Sequence, residues 1–277
     1  AKFNEEQRYA TKQAGLLAGL KVERLINEPS AAALSCRNLE NEEDESFLVI
    51  DFGGGTLDVS VVECFDQMIE ILAVSGDNKL GGNDFDKRIA EHFCREHGLE
   101  YDHLCQQHRL ELLKSAEWCK RQLTEKNAGM MEWDSPDGKK GLIFTSEDLI
   151  RVSAPILKRM EEVVGKALRD ASISIGEIDK IVLVGGTCRM PVIRQYIHHF
   201  TGVEPVLAAN PDEIVAIGAG TYAGIKERRE EIRDVVLTDI CPFTRGVGVW
   251  DESSHELMLA PIIERNRVLP FSREEIL

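Results

Sequence analysis

A chain of 277 residues, 43% of them hydrophobic, is long enough for one large domain or two ordinary ones with a real core. Its 48 acidic and 33 basic residues leave a formal net charge of -15, which repels nucleic-acid phosphates and anionic membrane, so neither is expected as a partner. Seven scattered cysteines without a CxxC pair fit a reducing compartment, and no stretch approaches the roughly 20 apolar residues of a membrane span, so a cytoplasmic location is expected.

Residues 4–20 have helical spacing, with Asn4 as N-cap and Gly15 and Gly19 near the far end. Residues 22–26 read as a short strand, and Asn27-Glu-Pro-Ser30 introduces a small-residue helix over 31–34. An acidic loop over 38–46 leads into apolar runs at 47–52, 57–65 and 68–75, which predict a three-strand meander. Helical periodicity returns over 84–96, 104–123 and 146–171, and the turn Ser135-Pro-Asp-Gly138 predicts a hairpin over 130–144. A buried strand at 181–184 stops at Gly185-Gly186. Pro191 opens a helix to 200, and Pro211 opens another to about 225. Residues 235–240 are strand-like, and 241–277 hold only short alternating runs, read as β-structure of another unit. Because the chain starts at Ala1 rather than methionine, it is expected to begin inside a longer protein.

The strongest local signal is Asp51-Phe-Gly-Gly-Gly-Thr56-Leu-Asp58, set between two apolar strands. Gly53, Gly54 and Gly55 permit a turn whose backbone N–H groups approach an anion closely, each charge-assisted bond contributing roughly 1.5 to 3 kcal/mol. Asp51 can hold a hydrated Mg²⁺ beside that turn, and the Thr56 hydroxyl can contact phosphate or an attacking water. A glycine hairpin with a capping aspartate is the structural alternative. Leu80-Gly-Gly-Asn-Asp84 and Leu183-Val-Gly-Gly-Thr-Cys-Arg189 add further glycine pairs, the second at a strand end before a helix, where α/β proteins bind nucleotides. Thr187 can equally cap that helix.

Glu117, Lys120, Arg121 and Thr124 recur at helical spacing and share one face, which is either solvated or the wall of a site. In the second case Arg121, opposite Arg189, can sandwich an adenine ring. Glu28 is a candidate general base or water-positioning group, or else a helix-start carboxylate. The cluster His92, Cys94, His97, His103, Cys105 and His108 matches no zinc spacing, and helical periodicity already explains it. Asp51-Phe-Gly also spells a kinase magnesium motif, but no HRD-type loop lies upstream.

Six segments then carry a resemblance: Asn4-Glu-Glu-Gln-Arg8, Ile26-Asn-Glu-Pro-Ser-Ala-Ala-Ala33, the Asp51 motif, Leu80-Gly-Gly-Asn-Asp-Phe-Asp86, Ile181-Val-Leu-Val-Gly-Gly-Thr-Cys-Arg-Met-Pro191 and Asn210-Pro-Asp-Glu-Ile-Val-Ala-Ile-Gly-Ala219. Their types and order resemble the DnaK-like, 70-kilodalton heat-shock chaperones over the whole chain, and Leu237-Thr-Asp-Ile-Cys-Pro-Phe243 looks more like the HscC branch than like DnaK itself. The resemblance implies an α/β, actin-like and ribonuclease-H-like ATPase fold, with a partial first lobe, a complete second lobe and a short β tail. It implies a nucleotide-binding domain over 1–233, an interdomain linker over 234–240, and the first strands of a β-sandwich peptide-binding domain over 241–277.

The same resemblance implies ATP or ADP with Mg as cofactors. Glu28, Asp51 and Thr56 would be catalytic, with Glu28 and Asp51 holding the metal through water. Gly53, Gly54, Gly55, Thr56 and Asp58 would form the second phosphate loop and its surroundings, and Gly82 would face phosphates or ribose. Glu117, Lys120, Arg121 and Thr124 would line one side of the nucleoside pocket, and Gly185, Gly186, Thr187, Arg189 and Asp212 the other. Implied partners are unfolded peptide clients, J-domain co-chaperones and nucleotide-exchange factors, in protein folding and the stress response. The family's first phosphate loop and catalytic lysine are expected upstream of Ala1, so ATP turnover by this chain alone is expected to be negligible. Residues 2–34 are expected to be poorly anchored. The alternatives are a catalytically inactive nucleotide-binding remnant or interaction module, and an actin-like or sugar-kinase relative.

Overall fold

A computed structural model describes residues 3–36, 44–65, 68–208, 211, 213–227, 236–251, 253 and 255–274. The chain opens with helices α1 (Glu5–Leu17) and α2 (Glu28–Cys36), then strands β1 (Glu45–Phe52), β2 (Leu57–Phe65) and β3 (Met68–Asp77). Helices α3 (Gly82–Glu96) and α4 (Gln106–Glu125), the hairpin β4 (Ala128–Ser135) and β5 (Gly138–Thr145), and α5 (Ser146–Ala171) follow. Next come β6 (Lys180–Val184), α6 (Pro191–Thr201), β7 (Val206–Leu207), α7 (Ile214–Lys226), β8 (Val236–Thr238), β9 (Arg245–Asp251) and β10 (Glu256–Ile263).

The main sheet has the order β7-β6-β1-β2-β3-β8. β1, β2 and β3 form the antiparallel meander, while β6 runs parallel to β1, β7 parallel to β6 and β8 parallel to β3. Both faces of β1 are buried, which is why it reads as a continuous apolar run rather than an alternating one. Leu48, Ile50 and Phe52 point into a core shared with α3 to α6, and Phe47 and Val49 into a second core with residues of α2 and α7. The result is a mixed sheet sandwiched between helical layers, with the glycine turn between β1 and β2 at one end.

Local chemistry fixes the long elements. In α1 the Asn4 side chain accepts from the Gln7 amide while Gln7 returns the bond, a reciprocal cap. Thr145 and Asp148 do the same for α5, which stops at Ser172 in the left-handed region, φ 59°.

Several expectations are corrected. Residues 22–26 form no strand: after Gly19 turns the chain at φ +80°, Val22 drops onto α1, where a Cβ on Gly15 would stand 2.5 Å from its methyl. The expectation of poor anchoring fails for α2, although α1 buries no residue. Ala31, Ala32 and Ala33 are wholly buried, and α7 crosses so closely that a Cβ on Gly218 would stand 1.7 Å from the Ala31 carbonyl oxygen. The strand-like reading of 235–240 holds in part, since Val236–Thr238 forms β8 with Leu237 opposite Ile69. The acidic loop over 38–46 falls largely outside the described residues. Among the described residues, all seven cysteines are free and no helix is long and apolar enough to cross a membrane.

Candidate functional site

Three glycine corners converge at the carboxyl end of β1. The β1–β2 turn closes with Gly53 donating its amide to the Thr56 carbonyl at 3.0 Å. The start of α3 is bound to this turn, since the Gly82 amide donates to the Gly53 carbonyl at 3.0 Å and the Asn83 amide to the Gly54 carbonyl at 2.8 Å. From the third corner the Thr187 hydroxyl donates to the Gly53 carbonyl at 2.8 Å, so Thr187 ties two corners together, and no side chain caps α6. A Cβ on Gly81 would stand 2.3 Å from the Gly54 carbonyl oxygen, and one on Gly185 would stand 2.6 Å from the Phe52 carbonyl oxygen and 2.8 Å from Asp51 Oδ1. Gly185 also has φ +85°, a region only glycine enters without strain.

The turn's own tip differs. Gly54 and Gly55 are exposed, no heavy atom lies closer than 3.9 Å to a Cβ on Gly54, and none lies within 4 Å of one on Gly55. Among the described residues no acceptor pairs with either amide. Bare amides beside open space are what a phosphate-binding turn offers.

Facing this turn across a cavity of ≈ 580 Å³ is one side of α4: Glu117, Lys120, Arg121 and Thr124. Gly54, Gly82, Gly186, Thr187 and Arg189 line the remainder, so Arg121 and Arg189 approach the space from different elements. The Lys120 ammonium is 2.8 Å from Asp86 Oδ1 and donates to the Gly82 carbonyl at 2.9 Å. Arg121 pairs with Glu117 at 2.6 Å in an exposed contact, and the Thr124 hydroxyl turns back to the Lys120 carbonyl at 3.3 Å.

Behind the turn lies a group of carboxylates. Asp51 and Asp58 are cross-strand partners on β1 and β2, and Asp58 is buried so tightly that a Cβ on Gly76 would stand 2.8 Å from its Oδ1. Burial pushes the Asp51 carboxyl up to about 6, and the charges of Glu28 and Asp58 add to the shift. Glu28, at the start of α2, lines a separate cavity of ≈ 230 Å³ with Arg8 and Asn27. Among the described residues no three His, Cys, Asp or Glu side chains are close enough to hold an ion by themselves. Asp51, with the charges of Glu28 and Asp58 close enough to act on it, offers the oxygen donors that a hydrated Mg²⁺ takes.

The family model described as Hsp70 protein matches residues 1–277. This chain belongs to the Hsp70 family. It is 39% identical over 288 residues to the chaperone protein DnaK of Deinococcus proteolyticus, a match covering 100% of this chain and 44% of that protein. The chain thus spans less than half the length of that relative. An Hsp70 ATPase domain implies the actin-like fold, with which the mixed α/β sheet agrees.

On this Hsp70 chain the structure brings the α4 face together with Gly54, Gly82, Gly186, Thr187 and Arg189 around one cavity. Glu28, Asp51, Gly53, Gly55, Thr56, Asp58 and Gly185 do not line it and sit at or behind its glycine edge. Asp212 lies outside the described residues. Asn83, Asp86, Glu125 and Met190 also line the cavity and escaped the sequence reading. The available signal for Asp86 was its place one helical turn after Gly82, on the same side of α3. Packing accounts for four of the histidine and cysteine cluster, with His92 edge-on to Phe144 at 5.2 Å, His97 against Phe93, His108 against Trp133 and Cys94 in the core, while His103 and Cys105 are exposed.

Proposed function

We propose that this chain is the nucleotide-handling part of an ATP-dependent Hsp70 chaperone, which binds Mg·ATP and Mg·ADP in the cavity between the glycine corners and α4. The observation that carries the reading is the convergence of the bare Gly54 amide with Gly82, Gly186, Arg121 and Arg189 on a single space. The phosphates rest on the amides of Gly54 and Gly55, and the base lies between the Arg121 and Arg189 guanidinium planes, which supply stacking and cation–π attraction.

For ATP hydrolysis the protein's part is positioning and charge compensation rather than covalent chemistry. Above about pH 6 Asp51 is ionised, so with Glu28 it offers acceptors that orient a water, and the Thr56 hydroxyl donates at the edge of the same turn. A magnesium ion on the phosphates supplies neutralisation of their developing charge. The mutually repelling Asp51, Glu28 and Asp58, of which Asp58 is buried, gain from any cation held near them.

In the domain arrangement we propose, residues 1–233 bind nucleotide, 234–240 link, and 241–277 begin a β-sandwich that grips extended peptides. Pairing of β8 with β3 gives the linker a mechanical connection to the sheet that carries Asp51 and Asp58. Peptide clients, J-domain co-chaperones and exchange factors are the partners this role requires. Isothermal titration with Mg·ADP tests the reading. Saturable binding weakened about tenfold by Arg121→Ala or Arg189→Ala is expected, in line with the loss of about 1.4 kcal/mol of stacking and charge. No binding to the folded chain would leave an interaction module instead.

A further inference from the structure

We propose that a second cavity, between α3 and α5, binds a small phosphate-bearing anion through Arg95 and Arg151, with Arg88 and His92 beside them. It is separate from the nucleotide reading above. Gly82, Asn83 and Asp86 turn one side of α3 to the first cavity, whereas Arg88, His92 and Arg95 recur at helical spacing on the opposite side. The second cavity measures ≈ 430 Å³, and Arg151, Val152 and Pro155 wall it on the α5 side.

Three guanidinium groups surround this one space in a chain of formal net charge -15. Neighbouring carboxylates do not take up all of them. Glu91 pairs with Arg88 at 3.1 Å and with Lys87 at 3.7 Å, and Asp148 pairs with Arg151 at 2.5 Å. Among the described residues no carboxylate pairs with Arg95, and the only acid in the cavity lining, Glu96, stands 3.9 Å from the His92 imidazole. Guanidinium forks that arrive from two helices suit a tetrahedral anion, which offers oxygens in several directions, better than a carboxylate, which presents one planar edge.

The imidazole of His92 reports the same crowding of positive charge. Its side chain is only 12% exposed and stands edge-on to Phe144 of β5. Burial holds it below the ordinary histidine range; Glu96 opposes this, Arg95 and Arg151 add to it, and Asp148 opposes it again. An anion between the two guanidinium groups offsets their repulsion, so with ligand bound His92 takes up its proton at higher pH. By linkage, a protonated His92 holds the anion more tightly.

The test follows the His92 ring resonances while inorganic phosphate, glycerol 3-phosphate or, at matched ionic strength, acetate is added to the wild-type chain, Arg95→Gln and Arg151→Gln. In the wild type a saturable shift is expected with the phosphate compounds and not with acetate, together with a His92 titration displaced to higher pH. The relative affinities of the two phosphate compounds tell an ester from the free ion. Each substitution is expected to weaken phosphate binding about tenfold, with Tm near that of the wild type because both arginines are exposed. Phosphate that leaves His92 unmoved in the wild type overturns the proposal, even if it binds at the glycine turn. An equal response to acetate, which is screening alone, overturns it too, as does a response that survives both substitutions. None of these outcomes depends on whether Mg·ADP binds the first cavity.

Discussion

Gly81, Gly82 and Gly185 have no room for a Cβ, with oxygens at 2.3, 2.7 and 2.6 Å from where one would stand, whereas Gly54 and Gly55 face open space. Both sets lie within the same corner of the molecule, and sequence alone treats them alike as glycine pairs after apolar strands. The first set lets three chain segments close on one another. A Cβ in the second set would meet little among the described residues, and in the function proposed above that open space is left for the phosphates. Stability and binding should therefore separate cleanly between the two sets.

The largest effect is expected from Gly185→Ala, which combines a left-handed backbone with a clash against the Phe52 carbonyl. Strain and overpacking together should cost about 3 kcal/mol or more, read as a fall in the denaturant midpoint. A near-native midpoint would show that the corner yields easily.

Next in size is the carboxylate behind the turn. Asp51 titrates at about 6 in the folded chain, against roughly 3.9 when unfolded, so the native state binds more protons between those values. Its contribution is fully present below about pH 4 and is lost as pH rises through about 6, by up to about 3 kcal/mol. Without ligand, Asp51→Asn should be more stable than wild type at pH 8 and lack this fall. If the variant and wild type have parallel stability–pH curves between pH 4 and 7, the carboxylate is not strained as described.

Gly55→Ala should sharpen the contrast from the other side. Stability should change by no more than about 0.5 kcal/mol, because the added methyl meets nothing within 4 Å. Affinity for Mg·ADP should nonetheless fall by about tenfold, with adenosine affinity unchanged. The smallest effect is expected from Glu117→Gln on stability. Its exposed pair with Arg121 should contribute less than about 0.5 kcal/mol, whatever the change does to nucleotide binding.

Much of this corner was legible in the chain, and the reasons are local. The apolar runs over 47–52 and 57–65 separated by three glycines could only be a tight turn between buried strands, and the helical face of Glu117, Lys120, Arg121 and Thr124 follows from spacing alone. What could not be read is non-local. The close approach of Gly81 to the Gly54 carbonyl, whose oxygen lies 2.3 Å from where a Cβ on Gly81 would stand, joins segments well apart in the chain, and nothing in the string distinguishes Gly81 from an ordinary helix-start glycine. Asp86 was missed because a carboxylate on a charged helix reads as solvated, and only the fold buries it against Lys120. Residues 22–26 misled because β-branched and apolar residues suit a strand only where an edge is available to pair with. β7, at two residues, is too short to carry a period.

The central claim is that the bare amides of the β1–β2 turn receive the phosphates. It is tested most directly by following the ¹⁵N–¹H resonances of Gly54 and Gly55 as Mg·ADP and then adenosine are added. Both resonances should shift and become protected from exchange with Mg·ADP, and remain near their free positions with adenosine, while resonances at the α4 face move with either ligand. Saturation by Mg·ADP that leaves Gly54 and Gly55 unmoved would contradict the account.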